Sequence, residues 1–167
     1  MKTLIIMRHA KSSWDDASLS DFERPLNERG LQTAPFIGKM MWENQLSPDK
    51  ILSSPAERAK QTSLLVKESG DLRAAVECNE KIYEASPFTL LEIISEIPAA
   101  INTLMLVGHN PGIEGLVKLL TGESHSIPTG ALIKLSLNVS NWSGVHNDCG
   151  SIDMFIRPRE EMKAGGK

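Results

Sequence analysis

The sequence predicts an α/β fold, a three-layer α/β/α sandwich around a mainly parallel central sheet. Three observations carry this. Leu4 to Met7 and Asn102 to Val107 are apolar runs without the alternation of a half-exposed strand, which suits strands buried on both faces. Between them lie helix starts with recognisable punctuation, at Asn27, at Ser54 with Pro55, and at Ser86 with Pro87. Strand and helix signals then alternate to the C-terminus, with no internal repeat or linker that would divide the chain.

Taken in order, the first strand gives way to a Ser- and Asp-rich loop, Ser12 to Pro25, and then to a helix capped by Asn27. Pro35 inside that helix removes a hydrogen bond and is expected to kink it. "KILSS" reads as the next strand. The segment "SPAERAKQTSLLVKES" has Ser54 as N-cap, Pro55 at the first helical position and Glu57 completing a capping box. "DLRAAVECNEK" reads as a solvated connector, followed by a weak strand at Lys81 to Tyr83 and a helix begun by Ser86 and Pro87. A helix from about Gly112 to Leu120 follows the second apolar strand. "ALIKLSLN" has the alternation of a half-exposed strand, and "SIDMFIRP" closes the sheet. Trp42, Trp142 and the run Leu64, Leu65, Val66 are assigned to core or rim. Residues 1–160 are expected to form a single domain, and the polar, Gly-rich 161–167 a flexible tail.

A net charge of -3 gives no general attraction to nucleic acid. No stretch approaches the length of a membrane span, and Arg8 and His9 interrupt the N-terminal apolar run before a secretory segment is complete. Cys78 and Cys149 are far apart, without a CxxC or Cys/His cluster, so both are expected to be buried or partly buried free thiols in a reducing, cytoplasmic setting. His125 and His146 show no ligand spacing, and no metal is expected.

Both apolar strands end in a polar pair: Arg8 and His9 after the first, Gly108 and His109 after the second. In a parallel sheet, ligands bind outside the carboxyl ends of the strands, so these residues should meet if the strands are neighbours. Arg58 in the first turn of its helix opposes the macrodipole, which suggests an anion between it and the exposed amides. Two guanidiniums suit the equatorial oxygens of a phosphoryl group. An imidazole with one ring nitrogen donating to a carbonyl keeps a lone pair on the other and can attack phosphorus; His9 is the candidate. Gly108, with "NPG" after His109, allows the tight turn that brings imidazole and helix amides to one crevice.

These segments resemble a known family. "RHAKSSWD" is similar to the RHG signature of the histidine phosphatase superfamily, which includes the cofactor-dependent phosphoglycerate mutases. "LNERGLQTA", "SSPAERAKQT" and "VGHNPG" resemble its further motifs in the same order, and the short length with "PTGAL" most resembles the SixA-type phosphohistidine phosphatases. The resemblance implies a phosphoglycerate mutase-like fold and a covalent mechanism without cofactor. In it His9 accepts the phosphoryl group, while Arg8, Arg58 and His109 cradle it. Ser12 falls where many members place a hydroxyl that contacts phosphate. Glu84, in "IYEAS", corresponds to the general acid of many members, with Asp15 and Asp21 as lesser candidates better read as loop-forming residues. Ala10 stands where the family has glycine.

The expected substrate is phosphohistidine on a protein. Its leaving imidazole needs little help from an acid, whereas an alkoxide must be protonated. The chain also has few residues left over for a closing lid. An open site suits a protein-borne group, with Trp14 either touching the partner or packed under its loop. The alternatives are a broad-range phosphomonoesterase acting on small phosphorylated metabolites and a phosphoryl-binding module without turnover. The oligomeric state is left open.

Overall fold

The computed structural model describes residues 1–165. Six strands form one sheet: β1 (Lys2–Arg8), β2 (Lys50–Ser53), β3 (Val76–Cys78), β4 (Thr103–Gly108), β5 (Leu132–Leu137) and β6 (Gly150–Ile156), in the order β3-β2-β4-β1-β5-β6. β3, β2, β4 and β1 run parallel; β5 and β6 complete the edge in antiparallel register. The helices are α1 (Glu28–Glu43), α2 (Glu57–Ser69), α3 (Pro87–Ser95), α4 (Gly112–Thr121) and α5 (Pro158–Gly165).

Two cores flank the sheet, which is why β1 shows no alternation. Leu4 and Ile6 pack on one face with Leu90, Ile93 and Ile94 of α3 and Ile113, Leu116 and Val117 of α4. Ile5 and Met7 pack on the other with Ala34, Ile37 and Met41 of α1 and Ala59 and Val66 of α2. Covering both faces buries every residue from Leu4 to Met7 and produces the three layers. β4 follows the same rule.

Asn27 caps α1, its side chain accepting from the Gly30 amide at 2.8 Å, and α1 runs on through Pro35. Ser86 caps α3, with Pro87 at its start. Ser54 does not cap α2. The helix starts at Glu57 without a side-chain cap, and the Glu57 amide donates to the Phe22 carbonyl instead. The Ser54 hydroxyl accepts from the Ala56 amide at 3.2 Å, one residue before the helix, and lies 2.7 Å from His109, so it joins the loop to a tertiary partner instead of capping the first turn.

The strand expected at Lys81 to Tyr83 is a 3-10 turn over Glu80–Ile82, because the Asn79 side chain accepts from the Lys81 amide. The third strand lies earlier, in the segment read as a connector, and exists through its pairing with β2. Its exposed Cys78 departs from the expected buried thiol; Cys149 is buried. β5 is more buried than its alternation suggested, since it lies inside the sheet between β1 and β6. Trp142 is fully buried, donating to the Ile101 carbonyl, while Trp42 and Leu64 are exposed on the surface. The tail expected from 161 is helical as far as Gly165, and positions 166–167 lie outside the described residues. No helix among the described residues is long and apolar enough to cross a membrane.

α1 approaches the loop after β1 closely enough that a Cβ on Gly30 would lie 2.2 Å from the Lys11 carbonyl oxygen. Backbone would have to move. Gly30→Ala is expected to destabilise the fold by about 2 kcal/mol or more, read as a lower urea midpoint. An unchanged midpoint would show that α1 can slide without loss.

Candidate active site

Parallel pairing sets Arg8 opposite Gly108, and the His9 amide donates to the Gly108 carbonyl at 3.1 Å. β2 joins on the far side of β4, with the Ser54 amide donating to the Val107 carbonyl at 3.0 Å. The carboxyl ends of three adjacent strands thus meet. Arg8, His9, Arg58 and His109 line one cleft of about 340 Å³, together with Ser12, Arg24, Asn110 and others. The ring centroids of His9 and His109 are 5.0 Å apart.

His9 is nearly buried, and its Nδ1 lies 2.7 Å from the Ala10 carbonyl. A carbonyl only accepts, so Nδ1 carries the proton and Nε2 keeps the lone pair. Burial pushes the His9 pKa down to about 3, helped by the positive charges of His109, Arg58 and Arg8 and opposed by the Ala10 carbonyl. The ring is neutral at pH 7. The Ala10 amide donates to Thr62 Oγ1, which donates to the Arg58 carbonyl, so α2 holds both the histidine loop and its own arginine.

His109 Nε2 lies 2.7 Å from Ser54 Oγ, which already accepts from the Ala56 amide. Ser54 is fully buried and, among the described residues, Nε2 is the acceptor its hydroxyl hydrogen finds, so the hydroxyl donates to Nε2 and the ring hydrogen sits on Nδ1. Nδ1 is buried without a partner, as is Arg8 Nε. Two unpartnered donors in one cleft call for an acceptor. Burial lowers the His109 pKa to about 4, aided by Arg58 and Arg8 and opposed by Asp21. Burial also lowers that of Arg8, against Glu114. Arg8 Nη1 and Asn110 Nδ2 both donate to the Ile127 carbonyl, and Glu114 receives the Ile127 amide, which ties the segment before β5 to the cleft.

The cost of Arg58 in a first helical turn is met by the protein itself. Its Nη1 donates to the Asp21 carbonyl at 2.6 Å and its Nη2 to Asp21 Oδ2 at 3.0 Å. Arg24, stacked 3.2 Å from the Trp14 ring centroid, takes Asp21 Oδ1, and the Tyr83 hydroxyl takes Oδ2. The Tyr83 hydroxyl, Arg58 and Arg24 hold the Asp21 pKa down at about 2, while burial and Asp21 raise that of Tyr83 to about 12. At neutral pH Asp21 is therefore an ionised holder of arginines and has no proton to donate.

Ser12 reaches the cleft, but its Oγ accepts from Arg24 Nη2 at 2.5 Å. Glu84 is absent from this lining. It is exposed, at φ 56°, and borders a neighbouring cavity of about 870 Å³ that also touches Arg58, His109 and Asp21. Asp15 lines a different surface cleft. Trp14 is not packed under its loop but is largely exposed, with Arg24 against its face. His125 approaches Glu123 at 3.5 Å, and no group of three or more His, Cys, Asp or Glu among the described residues could hold a metal ion. Sequence reasoning missed the roles of Asp21, Arg24, Tyr83, Ser54 and Thr62. Only the clustering of Ser54 and Thr62 with Arg58 inside one motif hinted at them.

The histidine phosphatase superfamily (branch 1) model matches residues 4–87. This chain belongs to the histidine phosphatase superfamily. An uncharacterized protein of Mycobacterium tuberculosis is 31% identical over 164 residues, 92% of this chain and 100% of that one. Among solved structures, one assigned to phosphohistidine phosphatase SixA from Agrobacterium tumefaciens superposes with a TM-score of 0.82 at 27% identity, covering 94% of this chain and 98% of that chain. The fold also matches the protein histidine phosphatase SixA complexed with tungstate, with a TM-score of 0.78 at 23% identity over 95% and 99% of the two chains. Membership and the SixA-like neighbours support phosphatase activity.

Two neutral imidazoles, His9 buried and His109 half-buried, make the fold sensitive to acid. In the unfolded chain each binds a proton below about pH 6.5, whereas the folded values lie near 3 and 4. Their contribution is complete above 6.5 and is lost as pH falls. Between pH 6.5 and 5, stability should drop on the order of 1 kcal/mol per pH unit for each imidazole, and His9→Gln should remove about half of that slope in urea titrations. Identical slopes in the two proteins would show that the folded state protonates His9 as readily as the unfolded chain does.

Proposed function

We propose that the protein is a metal-independent phosphatase that takes a phosphoryl group onto His9 Nε2 and passes it to water, with phosphohistidine on a protein as donor. The observation that carries this reading is the bond from His9 Nδ1 to the Ala10 carbonyl, which leaves a neutral lone pair at Nε2 in a cleft of cations. That lone pair attacks phosphorus, the bond to the donor nitrogen breaks, and the leaving imidazole is protonated on its other nitrogen. Water then attacks the phosphorus on His9 and releases inorganic phosphate. Arg8, Arg58 and the Nδ1 hydrogen of His109 face the charge that builds on the equatorial oxygens, and fixed donors stabilise it without reorganising. The positive charge required comes from the chain's own guanidiniums, Arg8 and Arg58.

The site supports a donor that needs little acid. Asp21 is ionised and engaged, and Glu84 lies outside the cleft that holds His9. A second reading, a phosphomonoesterase acting on small metabolites, draws on the same Glu84, which borders the larger cavity beside His109 and there could protonate an ester oxygen.

Incubation with a radiolabelled phosphodonor should label the protein with phosphate that acid removes and alkali spares, and His9→Ala should abolish the label. Label retained by His9→Ala would reject His9 as the acceptor. Glu84→Gln should leave turnover of a phosphohistidine peptide within about twofold, while an alkyl phosphate ester, if hydrolysed at all, loses about 100-fold. Comparable losses on both donors would make Glu84 a general acid for either and favour the esterase reading.

A further inference from the structure

A second cleft of about 520 Å³ opens beside the one that holds His9, and Lys11 and Thr129 line both. Among the described residues its charged lining is Lys11, Arg29, Arg159 and Lys163, with no Asp or Glu. In a chain of net charge -3 this is a local concentration of positive charge. All four side chains belong to exposed residues, and among the described residues none has a carboxylate within ion-pair distance.

The fold holds these like charges together against their repulsion. Arg159 and Lys163 are four residues apart in α5 and share a face. Arg159 is the second residue of α5, as Arg58 is of α2, and at both places the helix dipole disfavours a cation. Asp21 answers Arg58. Glu160 and Glu161 follow in the same turn, but no described carboxylate lies within ion-pair distance of Arg159. Pro158 at the start of α5 is buried, and Thr33 Oγ1 of α1 meets Met162 Sδ at 3.9 Å, so α5 packs against α1 with its two cations on the outside.

We propose that this basic cleft docks an acidic face of the protein that carries the phosphohistidine, setting the donor over His9; the proposal rests on the phosphohistidine reading above. A small anion is held by buried donors, as in the catalytic cleft with Arg8 Nε and His109 Nδ1, and the basic cleft has none among the described residues. Exposed, long-stemmed cations beside a reaction centre instead suit the rim of a protein interface, where complementary charge speeds encounter and fixes orientation.

The test compares two synthetic phosphohistidine peptides of equal length, flanked on both sides by glutamates or by serines, with the full chain as enzyme. kcat/KM for the acidic peptide should exceed that of the neutral one by about tenfold at low ionic strength. The advantage should shrink as salt is raised, and Arg159→Glu with Lys163→Glu should erase it. The milder pair Arg159→Ser with Lys163→Ser guards against misfolding and should reduce the preference in the same direction. Equal turnover of the two peptides by the unaltered protein overturns the docking proposal and leaves the phosphatase reading intact. Turnover of neither peptide overturns the phosphohistidine reading and this proposal with it. If the variants keep the peptide preference but lose a preference for hexane-1,6-diol bisphosphate over hexyl phosphate, the cleft holds a second phosphate, and the proposal fails.

Discussion

The bond from the His9 amide to the Gly108 carbonyl extends the parallel pairing of β1 and β4 by one residue, and the site is built outward from it. It leaves two histidines that are 100 positions apart in the chain with ring centroids separated by 5.0 Å. β4 lies between β1 and β2, so Ser54 at the end of β2 reaches His109 from the other side. A slip of one residue between β1 and β4 would turn the imidazoles to opposite faces. The apolar runs that bury both strands therefore also set the geometry of the site.

Around that pairing, charge is arranged in two tiers. Arg8 and Arg58 stand in the cleft with the neutral imidazoles, and the carboxylates that act on them lie outside its lining: Asp21 holds Arg58 and Arg24, and the charge of Glu114 opposes the fall in the Arg8 pKa. Asp21 thereby orients Arg58 by direct contact, and neither carboxylate fills the cleft where an anion would sit. Burial lowers the imidazole pKa values more than any neighbour raises them. A desolvated ring beside two guanidiniums is neutral at pH 7.

Much of the fold was legible because its signals are local. Asn27 and Ser86 announce helices through side chains that bond amides three residues on, and the apolar runs announce buried strands through continuity alone. Ser54 shows where such reading stops. Its spacing to Glu57 satisfies the capping pattern, yet its hydroxyl is committed to His109, a partner 55 residues away. Val76–Cys78 carries no strand signal of its own and is ordered by the edge of β2. Asp21 looked like a loop residue because nothing near it in sequence, apart from Arg24, needs a carboxylate; Arg58 and Tyr83 arrive only when the chain folds back.

Residue chemistry and short-range spacing were enough to name the layers, the family and the four side chains expected around a phosphoryl group, since periodicity and motif order are properties of the chain read along its length. The tautomer of each histidine, the ionised state of Asp21, the separation of Glu84 from the cleft and the basic surface shared by α1 and α5 are properties of distance and burial. Both depend on which distant segments exclude water from one another, and that is settled only when the sheet closes between its two layers of helices.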